Sequence, residues 1–167
     1  VDEFAVDELK QIPEVADVSP MLAYFYALGL KDYVLIYGWQ PGSFLLKELK
    51  IEGSASGSLH EAIIGDMAAK RLKKKVGDIF RVRNKAFTVT GIFQSKSLLE
   101  DGAVIIRLDE LQGMKKMEGK VTAVNIKVNM PHSARTDRAQ YENVLTLVQA
   151  KIASRFPDLD IKNVQSF

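Results

Sequence analysis

The chain has 167 residues, 47% hydrophobic and 26% charged, with 23 Lys+Arg against 21 Asp+Glu for a formal net charge of +2. That length suits one domain, or one domain carrying an insertion, with a real core, and the charge is too balanced to indicate nucleic acid or a membrane surface. The absence of cysteine excludes a disulfide framework and a thiolate metal site.

Asp2 to Gln11 reads as a short amphipathic helix with Phe4, Val6, Leu9 and Ile12 on its apolar side. It should stop at Ile12, because Pro13 disfavours helical angles in the residue before it. Val15 to Pro20 begins extended structure, and Met21 to Leu28 continues as a long bent strand. Gly29 and Lys31-Asp32 make a turn. Tyr33 to Trp39 is a continuous apolar run of the kind found in a covered sheet, with Trp39 in the core. Pro41 to Lys50 reads as a loop with a short helical turn, and the small polar run Glu52 to Ser58 as a flexible connector.

The central stretch, Ile63 to Phe93, reads as a strand end, a short helix, a turn and a hairpin. Ile64, Ala68 and Leu72 recur every four residues beside Met67, which makes one helical face apolar. Lys73, Lys74 and Lys75 fall in the expected last turn, where cations suit the negative end of the helix dipole. Val76-Gly77-Asp78 turns the chain. Ile79 to Arg83 and Ala86 to Thr90 are β-branched and aromatic, linked tightly by Asn84-Lys85.

Ser95 to Gly102 is a polar, exposed loop and Ala103 to Arg107 a strand. Leu108 to Met114 is a short helix capped by Asp109, and Lys115 to Lys120 a charged link. Val121 to Val128 is a strand burying Val124, Ile126 and Val128 or the opposite parity. Pro131 and Ser133 open the longest helix. Tyr141, Val144, Leu145, Val148, Ile152 and Phe156 line one of its sides, and Pro157 ends it.

No motif for catalysis, cofactor binding or metal ligation is complete. His60-Glu61 opens a zinc-protease pattern, but Ile64 stands where the second histidine belongs, and His132 is the only other histidine. His60 is therefore read as exposed or capping. Gly53 to Ser58 lacks the Gly-Lys-Ser/Thr of a phosphate loop, and no serine sits in a Gly-x-Ser-x-Gly elbow. Asp78, Glu100, Asp101 and Asp109 occupy turn and cap positions. The basic set Lys70, Arg71, Lys73, Lys74, Lys75, Arg81, Arg83 and Lys85 reads as a solvated face, since the companions of an RNA reader are missing. Leu98 and Leu99, together with Arg81, Arg83 and Lys85, are the candidate partner contacts.

The ordered set Ile64-Gly65, Ala68, Leu72, Val76-Gly77-Asp78 and Phe87-Thr88-Val89-Thr90-Gly91-Ile92-Phe93 resembles the extracytoplasmic domain of MacB-like and FtsX-like ABC-transporter permeases. Pro13 to Pro20 resembles the start of that domain, and Ile106 to Gln112 its later "i.l..lq" element. Where the family commonly has "eGR", Gly53 is followed here by Ser54, so any contact of that arginine is lost.

The resemblance implies an α+β fold. A porter-like layered α/β unit would be built from both chain ends, 1–50 and 120–167, with a small β-rich inserted subdomain at 51–119. It also implies a non-catalytic role. The domain would sit on the extracytoplasmic side of the cell membrane, anchored by transmembrane helices outside this sequence. ATP hydrolysis would lie on a separate ABC ATPase domain or subunit. Further partners would be an adaptor or other envelope protein and a second permease chain, in a homo- or heterodimer, with no nucleic acid. Motion of the membrane helices would be relayed to substrate export or release. The alternative is a free-standing nucleic-acid or ligand-binding module using the basic helix and hairpin at 70–85. Flanking hydrophobic spans and salt-dependent nucleic-acid retention separate the two.

Overall fold

A computed structural model describes residues 1–55 and 57–164. Among the described residues, packing divides the chain into two compact units. One comprises Val1–Glu3 and Ser19–Val124, the other Phe4–Val18 and Asn125–Phe167.

In chain order the elements are helix α1 (Ala5–Lys10), strands β1 (Val15–Ala27) and β2 (Tyr33–Trp39), a 3-10 turn (Phe44–Glu48), β3 (Lys50–Gly53) and β4 (Glu61–Gly65). Helix α2 (Asp66–Leu72), the hairpin β5 (Ile79–Val82) and β6 (Lys85–Gln94), and helix α3 (Leu98–Asp101) follow. Then come β7 (Ala103–Arg107), α4 (Leu108–Lys115), β8 (Ala123–Val128), α5 (His132–Arg135) and α6 (Arg138–Arg155). The fold is α+β, an open, mixed eight-stranded sheet with order β3-β6-β4-β7-β2-β1-β8, β5 also pairing with β6. Pairing is parallel for β2 with β7 and for β4 with β6, and antiparallel for β1–β2, β4–β7, β3–β6 and β5–β6.

The period-two alternation of strands explains the two cores of the larger unit. On one sheet face Leu22, Ile36, Ile64 and Val104 meet Ala68 and Ala69 of α2, Leu108 and Leu111 of α4, and Phe80, Val82, Phe87 and Val89 of the hairpin. On the other face Leu35, Tyr37, Trp39, Ile63, Phe93 and Ile105 are covered by Leu45, Leu46 and Leu49 around the 3-10 turn. Each fully buried phenylalanine contributes about 1.5–3 kcal/mol. In the second unit, Leu9 and Ile12 near α1 and Val148 and Ile152 on α6 are buried. There Lys151 Nζ pairs with Glu14 Oε1, and the Glu14 carbonyl accepts from Asn129 N at 2.7 Å.

Several local expectations shift. Phe4 is 67% exposed at the N-cap of α1 rather than on its buried side. Lys50–Gly53 is an edge strand on β6, so the connector is shorter than the small polar composition implies. Ile64 belongs to β4, and its four-residue spacing to Ala68 spans a strand and a helix rather than one helical face. Lys73, at φ 54°, ends α2 in the left-handed conformation and leaves Lys74 and Lys75 beyond it. Gly77 turns the chain at φ +95°, and its N–H donates to Val89 O at 2.8 Å. The hairpin link lies one residue early, with Arg83 at φ 53°.

The polar loop after β6 contains α3. Asp109 lies inside α4 and binds Arg107, which holds the cap position without a side-chain bond. β8 starts at Ala123, and an exposed Lys127 with Val124 packed on the first core fits the Val124–Ile126–Val128 parity. The longest helix begins at Arg138, because Asp137 caps it by accepting from Ala139 N and Gln140 N. Val148 and Ile152 are buried there, and Tyr141, Val144, Leu145 and Phe156 are half-buried around them, as their spacing predicts.

Candidate partner-contact surface

Leu98 and Leu99 occupy α3, a single turn fixed at both ends. Ser97 Oγ accepts from Glu100 N at 3.5 Å, and Ser95 Oγ donates to Ser97 O at 2.9 Å. The buried Asp101 carboxylate accepts from Ser95 N at 2.6 Å. The turn seats against Gly65, where a Cβ would meet Asp101 O at 2.2 Å, so only glycine allows the approach. The two leucines are 76% and 61% exposed on this held turn.

Beside them, burial holds the Glu100 carboxyl above its usual range, and the carboxylates of Asp101 and Glu48 push the same way against a Ser95 hydrogen bond. Burial also raises the Tyr37 phenol, with Glu100 adding to the effect.

The basic hairpin end is built differently. Arg81 and Lys85 are exposed, whereas Arg83 lies over the ring of buried Tyr26, 5.3 Å from its centroid. Lys115 at the end of α4 stands 4.3 Å from the Tyr24 ring centroid and 5.5 Å from that of Tyr26. Burial raises the Tyr26 phenol, and Arg83 opposes the shift. Arg71 is paired with Asp32. The leucine pair and the basic end are thus anchored on different elements, α3 packing on α2, β4 and β7 and Arg83 on β1.

His60 is exposed, at φ 61°, with Nδ1 3.2 Å from Glu110 Oε1, and the same oxygen accepts the His60 backbone N–H at 2.9 Å. Among the described residues no three His, Asp or Glu side chains gather as a metal site, and no helix is long and apolar enough to cross a membrane.

The sequence profile of the MacB-like periplasmic core domain matches residues 1–143. The chain belongs to that family. Solved structures bear the same fold. One is the periplasmic region of MacB from Actinobacillus actinomycetemcomitans, with a TM-score of 0.62, 11% identity, and 96% of this chain and 85% of that one covered. Another is the extracellular domain of the ABC-type transporter YknZ from Gram-positive bacteria, with a TM-score of 0.60 at 17% identity over 90% and 83%. A third is a domain of a putative permease protein from Porphyromonas gingivalis, with a TM-score of 0.58 at 13% identity over 96% and 79%. No curated protein sequence matches significantly.

Within this MacB-like domain, two features escape sequence reasoning. The cations over Tyr24 and Tyr26 come from positions remote in sequence, and only the i, i+2 spacing of the tyrosines hints at a shared strand face. The cleft beside Trp39 is lined by Gln40, Pro41 and Leu46 and by Ala55 and Gly57, which are apart in the sequence, and no sequence signal marks it.

Proposed function

We propose that this MacB-like domain is the extracytoplasmic part of an ABC transporter permease. It relays ATP-driven motion of membrane helices to substrate export or release and to partner binding outside the membrane. The family match over residues 1–143 carries this reading. In it the domain is non-catalytic, ATP is hydrolysed by a cytoplasmic ABC ATPase domain or subunit, and transmembrane helices supply the anchor. The permease works as a homo- or heterodimer, and an adaptor or other envelope protein meets the domain through Leu98, Leu99, Arg81, Arg83 and Lys85. The segment 51–119 acts as an inserted subdomain on a porter-like half formed by 1–50 and 120–167.

A cysteine placed on the domain surface, with the unsubstituted protein as the labelling background, gives a direct test. Lys96→Cys, an exposed position beside the leucines, is introduced into the native gene product in its own membrane. A membrane-impermeant maleimide should label it in spheroplasts, at a rate that changes when ATP hydrolysis is blocked. Labelling only after lysis overturns the location, and a rate indifferent to ATP overturns the relay.

A further inference from the structure

The lysines at the ends of α2 and α4 gather at the turn between β1 and β2. Arg71 near the end of α2 is paired with Asp32 of that turn, so Lys73, Lys74 and Lys75 leave α2 where the turn carries Lys31. Lys115 at the end of α4 lies over the rings of Tyr24 and Tyr26 on β1, which brings Lys116 to the same end. Among the described residues none of these six lysines is in an ion pair. The carboxylates of the same turns are engaged, Asp32 by Arg71 and Asp78 by the Lys75 backbone N–H at 3.0 Å. The small net charge of +2 therefore conceals a positive end.

The turn is also apolar at its tip. Leu28 N–H donates to Asp32 O at 2.8 Å and closes it, and Leu30 at the apex is fully exposed. On the strands that feed it, Phe25 and Tyr33 are 66% and 60% exposed. Phe25 alternates with Tyr24 and Tyr26, and Ala27 pairs with Tyr33, so the exposed rings lie on the sheet face opposite Lys115. The hairpin end thus has an apolar tip, an aromatic side and a positive side.

That combination narrows the partner. A nucleic acid would meet the charge but not Leu30, and Lys115 and Arg83 cover the Tyr24 and Tyr26 rings on which bases would stack. Protein interfaces favour arginine and are depleted of lysine. A layer of lipid phosphate suits flexible ammonium groups, and apolar and aromatic side chains beside them enter the headgroup boundary.

We propose that this end of the larger unit docks on a bilayer of anionic lipid, with Leu30 entering the headgroup layer between Phe25 and Tyr33 and the six lysines facing the phosphates.

Co-sedimentation of the chain with vesicles tests this. Phosphatidylcholine mixed with phosphatidylglycerol should bind it at least tenfold more tightly than phosphatidylcholine alone, and high salt should weaken the binding. Lys31→Gln should weaken it about fivefold. Leu30→Ser, at a fully exposed position that the fold does not use, should weaken it about tenfold. Lys10→Gln, exposed on α1 of the second unit, should leave it unchanged.

Equal binding to the two vesicles, or to neither, overturns the proposal. So does binding that ignores Leu30→Ser, or that Lys10→Gln and Lys31→Gln weaken alike. Retention of single-stranded DNA in place of the mixed vesicles overturns it in favour of a nucleic acid.

Discussion

The guanidinium of Arg83 lies 5.3 Å from the ring centroid of Tyr26, so the tip of the β5–β6 hairpin is tied to β1 through a cation over an aromatic face. The residue that makes this tie also bends the chain at φ 53°. One residue therefore closes the hairpin with its backbone and docks it with its side chain.

Arg83→Met keeps the stem and removes the charge. It should cost about 0.5–1 kcal/mol in urea unfolding, the scale of an exposed cation–π contact. Tyr26→Phe keeps the ring and deletes a buried hydroxyl that has no partner, so it should be neutral or stabilising by up to about 1 kcal/mol. A double-mutant cycle on Arg83→Met and Tyr26→Phe should show little coupling, because the contact uses the ring and not the hydroxyl. Coupling well above experimental error would place the interaction at the oxygen instead.

Gly65→Ala puts a methyl 2.2 Å from the Asp101 carbonyl oxygen, and the atoms that it meets are backbone, which cannot swing aside. A loss of about 1–3 kcal/mol is expected, the range of overpacking that the surroundings cannot absorb. The double variant Leu98→Ser/Leu99→Ser, on the exposed side of the turn that packs against Gly65, should stay within about 0.5 kcal/mol of the parent. Thermal unfolding separates the two outcomes and shows whether the leucines serve the fold.

Lys73 and Lys116 end α2 and α4 at φ 54° and 52°. Glycine meets no Cβ penalty there, so Lys73→Gly and Lys116→Gly should each raise stability by about 0.5–1 kcal/mol, read from chemical denaturation. A loss would mean that the lysine side chains make up for the backbone strain.

Two carboxyls give opposite pH signatures. Glu100 has its folded pKa raised by burial, so its protonated form is favoured in the native state. The resulting advantage is complete below the ordinary carboxylate range and is lost as pH rises through the shifted value. Glu100→Gln should therefore gain stability over the parent at pH 7 and lose that gain at pH 3. Glu14 has its pKa lowered, first by the Lys151 hydrogen bond and then by a backbone one. Its contribution is present above the ordinary range and disappears as pH falls through the depressed value, so Glu14→Gln should flatten the acid side of the stability profile. Stability measured from pH 3 to 8 on both variants checks the two signs.

Much of this architecture is legible from short-range pattern. The hairpin follows from alternating Phe80, Val82, Phe87 and Val89, all buried, and the side of α6 from residues spaced by three and four. Trp39 lies in the core, as its apolar run implies. Polar composition hides β3, because Glu52-Gly53 reads as linker until β6 supplies its hydrogen bonds. The two exposed leucines were visible as candidates, whereas the Gly65 seat that presents them depends on a contact between distant segments. The Trp39 cleft is a property of assembled walls, so no local signal announces it.

The parallel pairing of β2 with β7 sets Leu35 beside Ala103 and Trp39 beside Arg107. A chain made from its N-terminus produces β1 and β2 early, and these can pair at once as neighbours. β2 must then wait for most of the larger unit to be made before its second edge is covered. Such long-range closure slows folding and leaves an apolar strand edge open to other chains in the interval. Fragments that stop before Ala103 should therefore aggregate rather than fold, and the speed with which Ala103–Arg107 arrives sets how long the nascent chain needs protection.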